Sequence, residues 1–303
     1  MRVLITGAHG FIGQYLAKIY AASGFLVYGI GHGHWVQDDL VRLGFECWHT
    51  ADITIDSLVT YGGDPDIIVH CAGSGSVPFS VAHPYQDFAR TVNATATVLE
   101  YMRIYCPNAI LIYPSSAAVY GSVDTLPIVE SIELRPTSPY GAHKVMAEQI
   151  CHSYASQYNL AVVIVRLFSI YGEGLKKQLL WDACCKMAKG NFIFFGTGNE
   201  LRDWLHIEDA ARLLMLSSSL ASTKCPVFNG GSGVGVTVRD VLAHLMQNLG
   251  YFEPLVFSGL AKTGDPPGMQ ADMSRLARLD WSPQIDLREG MQRYVDWFKE
   301  ECQ

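Results

Sequence analysis

Six short apolar runs, rich in β-branched residues, punctuate the first half of the chain: "RVLIT" (2–6), "FLVYGI" (25–30), "FECWHT" (45–50), "DIIVHCAG" (66–73), "AILIYPSS" (109–116) and "AVVIVRLF" (161–168). Most are apolar on both faces, the pattern of strands covered on either side. Between them the apolar spacing changes to that of a helix, over "FIGQYLAKIYAAS" (11–23), "YQDFARTVNATATVLEYMRIY" (85–105) and "GAHKVMAEQICHSYASQYN" (141–159). Repeated strand–helix–strand alternation predicts the α/β class, a doubly wound parallel sheet of Rossmann type with helices on both faces.

Beyond Arg166 the rhythm changes. "YGEGLKKQ", "FFGTGNELRDWLH", "NGGSGVGVT" and "KTGDPPGMQAD" read as loops between helices. The expected division is a dinucleotide-binding domain over residues 1–168, to which part of 205–230 returns, and a smaller C-terminal α/β lobe over 169–303. Neither an internal repeat nor a low-complexity segment is present.

With 303 residues, 49% of them hydrophobic, the chain is long enough for a large core. A formal charge of −7 and the lack of any basic run argue against nucleic acid as a partner. The apolar run "LAVVIVRLFSIYG" is broken by Arg166 and too short for a bilayer, so no membrane span is expected. The opening "RVLITGAHGFIG" lacks the pattern of a secretory leader, which leads to the expectation of a cytoplasmic chain. Eight scattered cysteines form no C-x-x-C pair, and Cys184 and Cys185 are adjacent; buried thiols in a reducing compartment are expected, with no metal.

Candidate chemistry lies at the ends of the expected strands. "ITGAHGFIG" sets Gly7, Gly10 and Gly13 between the first strand and its helix, where a pyrophosphate can approach free backbone N–H groups and the helix dipole. "YPSSAAVYG" leaves Ser115 and Ser116 at the carboxyl end of a strand, placed to hydrogen-bond an oxygen on which charge develops. "SPYGAHK" spaces Tyr140 and Lys144 one helical turn apart, so that an ammonium can stabilise a phenolate for proton transfer near neutral pH. Among 15 tyrosines such spacing arises easily by chance; its weight comes from its order with the glycine loop and Ser116.

Together these residues resemble the extended short-chain dehydrogenase/reductases, the group of nucleotide-sugar epimerases, dehydratases and reductases, over essentially the full length. "TGAHGFIG" resembles the family's TGxxGFIG, "SSAAVYG" its active-site serine segment, "SPYGAHK" its SPYGxSK, "VRLFSIYGEG" its R-x-x-N-V-Y-G-P-G, and "RDWLHIED" its RDFxHVxD. "FNGGSG" resembles N-x-G-S-G, and "GDPPGMQADMSRLARLDWSPQIDLREGM" the closing segment. The resemblance implies that Tyr140 is the acid/base, that Ser116 aligns the sugar oxygen, and that Lys144 tunes Tyr140 and binds the nicotinamide ribose. It implies cofactor contacts from Gly7, Gly10, Phe11, Ile12 and Gly13, from Asp52 and Ile53 near the adenine, and from Cys71, Ala72 and Gly73. It assigns the second lobe to a nucleotide-sugar substrate, with Ser74, Ser115, Ala117, Arg166, Ser169, Arg202 and Lys262 in contact with it. Three departures stand out: Ser169 replaces an asparagine, Thr91 replaces another with Asn93 two places on, and "AKTGDP" lacks an arginine.

Dehydration in this group needs acids just after the active-site Ser or Thr, and here Ala117 and Ala118 follow Ser116. A cysteine at the position of Ala117, as in the epimerase-reductases, is also missing. An acid that would hold the 2′-hydroxyl of NAD, about 20 residues past the glycine loop, is Gly31 here. His32, which can donate to a 2′-phosphate, follows it. The expected cofactor is therefore NADP, with NAD as the alternative. The expected reaction is reduction of the C4 ketone of a nucleotide-linked 4-keto-6-deoxyhexose, of a deoxythymidine-linked fucose type, for bacterial surface polysaccharides. The alternatives are an NAD-dependent nucleotide-sugar 4-epimerase and a non-catalytic NADP-sensing regulator. Resemblance further implies a homodimer through helices around 94–105 and 143–158, with Val98, Met102 and Tyr105 as a candidate face that fits an intrachain core equally well.

Overall fold

The apolar runs become strands because each finds a neighbour in one sheet. A computed structural model describes residues 1–260 and 266–302. The first strands are β1 (Arg2–Thr6), β2 (Leu26–Gly31), β3 (Phe45–Thr50), β4 (Ile67–His70), β5 (Ile110–Ser116) and β6 (Ala161–Leu167). With the strand Val227–Gly230 they form a seven-stranded sheet in the order Val227–Gly230, β6, β5, β4, β1, β2, β3. The pairs β1/β2, β1/β4, β2/β3 and β4/β5 are parallel. The order reverses between β1 and β4, so the carboxyl ends of these two strands flank a switch point, the place where open α/β sheets take ligands.

Two compact units are present: Met1–Gly121, Glu133–Arg166 and Ala211–Phe228 form the first, and Ser122–Ile132, Leu167–Ala210 and Asn229–Gln303 the second. The excursion of 122–132 into the second unit differs from the expected boundaries. In the first unit, Leu4, Ile68, Leu111 and Ile164 from four strands and Val98, Met102 and Cys151 from two helices share one buried cluster. Each fully buried Leu or Ile contributes about 1.5–3 kcal/mol there. Val98 and Met102 are thus intrachain core and not part of a partner-facing surface, whereas Tyr105 is 51% exposed. The expected single helix over 85–105 is interrupted: Pro84–Phe88 passes through a π-helical segment, Ala89–Asn93, into Ala94–Tyr105.

In the second unit, segments expected as loops pair into a small sheet. Leu201–His206 is its central strand, flanked by Ser169–Tyr171, Gly235–Thr237 and Gly268–Met269. "LRDWLH" carries two charges in six residues, so no apolar alternation announced it; pairing on both edges makes the strand. Ala183, Met187, Phe194 and Leu242 form the core beside it. Among the described residues no helix is long and apolar enough to cross a membrane.

Candidate active site

The glycine loop leaves β1 with Gly7 at φ +68°, and a Cβ there would meet the backbone nitrogen of Ala72 at 2.6 Å. Gly13, buried in the first helical turn, would place a Cβ 2.6 Å from Ala8. Only glycine permits this close packing of β1, the segment after β4 and the helix. Gly10 caps the helix Phe11–Ala22 with no side-chain hydrogen bond, so the first-turn N–H groups of Phe11, Ile12 and Gly13 keep their donors for an anion. This cradle suits a dinucleotide pyrophosphate. After β4 come Cys71, Ala72 and Gly73, the last at φ +148°; Thr6 Oγ1 accepts from the Ala72 N–H at 3.3 Å, and burial pushes the Cys71 thiol up to about 12. The Ser74 N–H points to Thr91 Oγ1 at 3.5 Å, so Thr91, in place of the family asparagine, anchors this turn.

Gly31 ends β2 in a tight place. A Cβ on it would lie 3.2 Å from Gly7 Cα and 3.3 Å from the Trp48 ring, so any side chain there would press on both. Trp48 belongs to an aromatic cluster in which the Trp35 ring is centred 4.7 Å from Trp48, 4.6 Å from His9 and 5.1 Å from Phe45. His32 does not present a free imidazole for a phosphate: its Nε2 is 3.0 Å from Asp52 Oδ1, both side chains being about four-fifths exposed at 81% and 79%. A carboxylate so close repels a second anion, which removes the physical ground for the NADP expectation. Ile53, next in sequence, packs partly buried against the core cluster.

The placement of Tyr140 and Lys144 depends on the helix Pro139–Tyr158. Ser138 caps it, accepting from the Gly141 N–H at 3.2 Å, and Pro139 occupies the first turn, where a missing N–H costs nothing. Ser80, buried on the helix Val77–Ala82, accepts from the Tyr140 N–H at 3.0 Å, a tie that no local pattern announced. Ser116 begins the 3₁₀ turn Ala117–Val119 by accepting from the Ala118 N–H at 3.2 Å. Burial pushes the Tyr140 phenol up, against the expectation that Lys144 would draw it down; the Ser116 hydroxyl opposes that rise and Asp87 adds to it. Lys144 is 7% exposed, donates from Nζ to the Pro114 carbonyl at 3.0 Å and lies 4.7 Å over the Tyr113 ring. Burial pulls its ammonium down to about 8, opposed by Cys71, Glu148, Cys151 and Asp87.

Two expected substrate contacts are instead structural. Ser115, 4% exposed, donates to Glu148 Oε1 at 2.5 Å. Arg166, also 4% exposed, forks onto Glu148 with Nη2–Oε2 at 2.7 Å and Nε–Oε1 at 3.0 Å, and donates to Tyr120 Oη at 3.2 Å. A buried guanidinium needs such a partner, and Glu148 consumes the side chains that were expected to face a sugar. Ala117 is buried, with Ala118 next to it, so the two positions after Ser116 supply no acid.

The second unit holds a cavity of about 550 Å³, within the size range of small-molecule sites. Ser169, Lys177, Phe195, Arg202, Trp204 and Pro267 are among its lining residues, so Ser169 and Arg202 share one wall set. Asp203 faces away and is fully buried: Oδ1 accepts from the N–H and hydroxyl of Ser232 at 2.6 and 2.7 Å, and Oδ2 from Gly233 and Ala271 N–H at 2.9 and 3.0 Å. It fastens two loops that line the sheet edge. Lys262 lies outside the described residues.

Comparison with known proteins agrees with this arrangement. The model of the NAD dependent epimerase/dehydratase family matches residues 3–228. A UDP-glucose 4-epimerase of Azospirillum brasilense is 30% identical, over 96% of this chain and 90% of its own. One from Corynebacterium glutamicum is 28% identical, over 95% and 93%. The solved DesIV double mutant, a dTDP-glucose 4,6-dehydratase from Streptomyces venezuelae with NAD and DAU bound, superposes with a TM-score of 0.90 at 25% identity, over 99% of this chain and 97% of that one. With the glycine cradle, the serine turn and the Tyr140/Lys144 helix all in the order of that family, the chain belongs to the NAD-dependent epimerase/dehydratase family of extended short-chain dehydrogenases/reductases.

Proposed function

We propose that the protein is an NAD-dependent 4-epimerase acting on a nucleotide-linked hexose, with a UDP-hexose as the first substrate to test. The observation that carries this reading is that the Ser116 hydroxyl favours the ionised Tyr140 phenol, with Lys144 one helical turn after Tyr140 and alanines at 117 and 118. Such a set can oxidise and re-reduce one carbinol carbon but has no acid to expel a neighbouring hydroxyl. The UDP-glucose 4-epimerases of Azospirillum brasilense and Corynebacterium glutamicum, as relatives, support it.

Bound NAD supplies the acceptor and donor of the C4 hydride. Tyr140 Oη takes the proton of the C4 hydroxyl while Ser116 Oγ holds the same oxygen, and Tyr140 returns that proton after the keto sugar has presented its other face. Lys144, fixed by the Pro114 carbonyl, supplies positive charge to the ionised phenol. The first-turn N–H groups of Phe11, Ile12 and Gly13 would hold the NAD pyrophosphate; Asp52 and Ile53 would sit near the adenine, and the backbone of Ala72 and Gly73 would line the cofactor. Ser169 and Arg202 bind the nucleotide part in the second unit's cavity. A homodimer through exposed residues of the helices Ala94–Tyr105 and Pro139–Tyr158 belongs to the same proposal.

A second reading, the 4-ketoreductase, is favoured by Gly31, because no acid clamps a retained NAD there. The deciding experiment is incubation of the purified protein with UDP-glucose or UDP-galactose and no added cofactor, with products read by NMR. Interconversion is expected. Conversion only of 4-keto sugars, with consumption of added NADPH, overturns the proposal in favour of the reductase.

A further inference from the structure

The glycine loop carries one imidazole that the reading above leaves without a task. His9 directly precedes Gly10, the cap of the helix Phe11–Ala22, and is half-buried. Its main-chain carbonyl accepts from Gln14 Nε2 at 2.9 Å. Its ring is held by aromatic neighbours, Trp35 centred 4.6 Å away at 33° and Trp48 at 6.1 Å. The backbone of Gly33 also comes close. A Cβ there would lie 2.5 Å from His9 Cγ and Cδ2 and 2.6 Å from Nδ1, and Gly33 has φ +110°, which keeps the position for glycine. Cγ, Cδ2 and Nδ1 are thus the ring atoms nearest Gly33, and Nε2 belongs to the far edge. Neither ring nitrogen has a hydrogen-bond partner among the described residues.

The place of this ring gives it meaning. In a dinucleotide fold the ribose of the adenosine half is held at the end of the second strand, by an acid about 20 residues past the glycine loop. Here that strand, β2, is tied to the loop by the Gly7 N–H, which donates to the Ile30 carbonyl at 2.7 Å. Gly31 follows without a side chain, and two residues on Gly33 touches His9. The end of β2 therefore runs along the loop from Gly7 to His9. Between Gly7 and Gly13 the loop has no other polar side chain. His32, the imidazole on β2's own side, is already 3.0 Å from Asp52. A neutral imidazole nitrogen accepts a hydrogen bond from a hydroxyl as a carboxylate does, without adding negative charge beside the pyrophosphate.

We propose that His9 is a cofactor-binding residue whose Nε2 accepts a hydrogen bond from the 2′-hydroxyl of the adenosine ribose of NAD, replacing the acid absent at Gly31. Trp35 and the Gly33 backbone hold the imidazole in place beforehand, so the contact orders little on binding. An ionised 2′-phosphate has no proton to give this acceptor, so the contact favours the free hydroxyl. It supplies the hold on NAD that Gly31 lacks. The proposal rests on the glycine loop being an NAD site, but not on which sugar reaction follows.

The test is calorimetric titration of the full chain, freed of bound nucleotide, with NAD and with its 2′-deoxyadenosine analogue. Wild type, His9→Phe and His9→Gln are compared. His9→Phe keeps a ring against Trp35 and removes both nitrogens, whereas His9→Gln restores an amide oxygen that can accept. Wild type is expected to bind NAD about five- to tenfold more tightly than the deoxy analogue, the worth of one hydrogen bond. His9→Phe is expected to bind both ligands alike, at the wild-type affinity for the analogue, and His9→Gln to recover part of the difference. If His9→Phe does not fold, His9→Ala carries the same comparison. A preference for NAD that survives in His9→Phe, or an equal loss for both ligands, overturns the proposal and leaves His9 a packing residue of the aromatic cluster. Wild type that binds both ligands equally overturns the ribose contact alone, whereas wild type that binds neither overturns the NAD reading beneath it.

Discussion

A methyl group on Gly141 would stand 2.5 Å from the carbonyl oxygen of Ala118. The helix Pro139–Tyr158 and the turn after Ser116 therefore touch backbone to backbone, and this contact sets the spacing between Tyr140 and Ser116. Gly141→Ala must push the two apart. Its kcat is expected to fall about 100-fold, the usual cost of a misplacement near 1 Å, while stability drops only about 1–3 kcal/mol, as for overpacking. Steady-state kinetics beside thermal melts check this; an unchanged kcat would show that the contact yields freely.

Arg166 and Glu148 are a buried pair and not a substrate clamp, so their loss acts on stability first. Removing either partner, by Arg166→Met or Glu148→Gln, is expected to cost about 3–5 kcal/mol in urea unfolding because it strands the other charge. The double variant should cost clearly less than the sum of the two. A variant that retains full stability but loses substrate affinity would return Arg166 to the sugar site.

These residues mark where the sequence could be read and where it could not. β1 to β6, the glycine loop and the Ser116, Tyr140 and Lys144 set were legible because each is a local pattern: an apolar run, a glycine spacing, one helical turn. Arg166 and Ser115 were misread because their common partner, Glu148, lies 18 and 33 residues away, and nothing local announces a buried ion pair. His32 was misread for the same reason: Asp52 comes beside it only when β2 and β3 pair. The strand Leu201–His206 was hidden by its charges, which serve the loops fastened by Asp203 and the cavity wall at Arg202.

The His32–Asp52 contact makes a prediction about cofactor choice. Asp52→Asn removes the carboxylate and leaves the imidazole, so affinity for NADPH should rise relative to NADH by about tenfold, or about 1.4 kcal/mol. His32→Ala leaves Asp52 alone and should shift the ratio the other way. Calorimetric titration with both cofactors reads the two ratios; equal effects on NADH and NADPH would remove the pair from the 2′ position.

Lys144 couples function to stability through pH. Burial lowers its ammonium from 10.5 to about 8, so the folded state gives up the proton more readily than the unfolded one. The resulting cost is complete below about pH 8, where both states are charged, and fades as pH rises from 8 to 10.5. Wild-type stability should therefore gain on that of Lys144→Met across this window, while the variant loses catalysis at every pH. Parallel stability curves for the two proteins would contradict the buried charge.

The central claim is that one hydride leaves C4 and returns to C4 within a single catalytic cycle. A UDP-hexose deuterated at C4, given to the protein without added cofactor, tests it directly by NMR and mass spectrometry of the product. The account predicts the opposite C4 epimer with the deuterium still on C4. Product that has lost the label, or that forms only when NADPH is supplied, would contradict it.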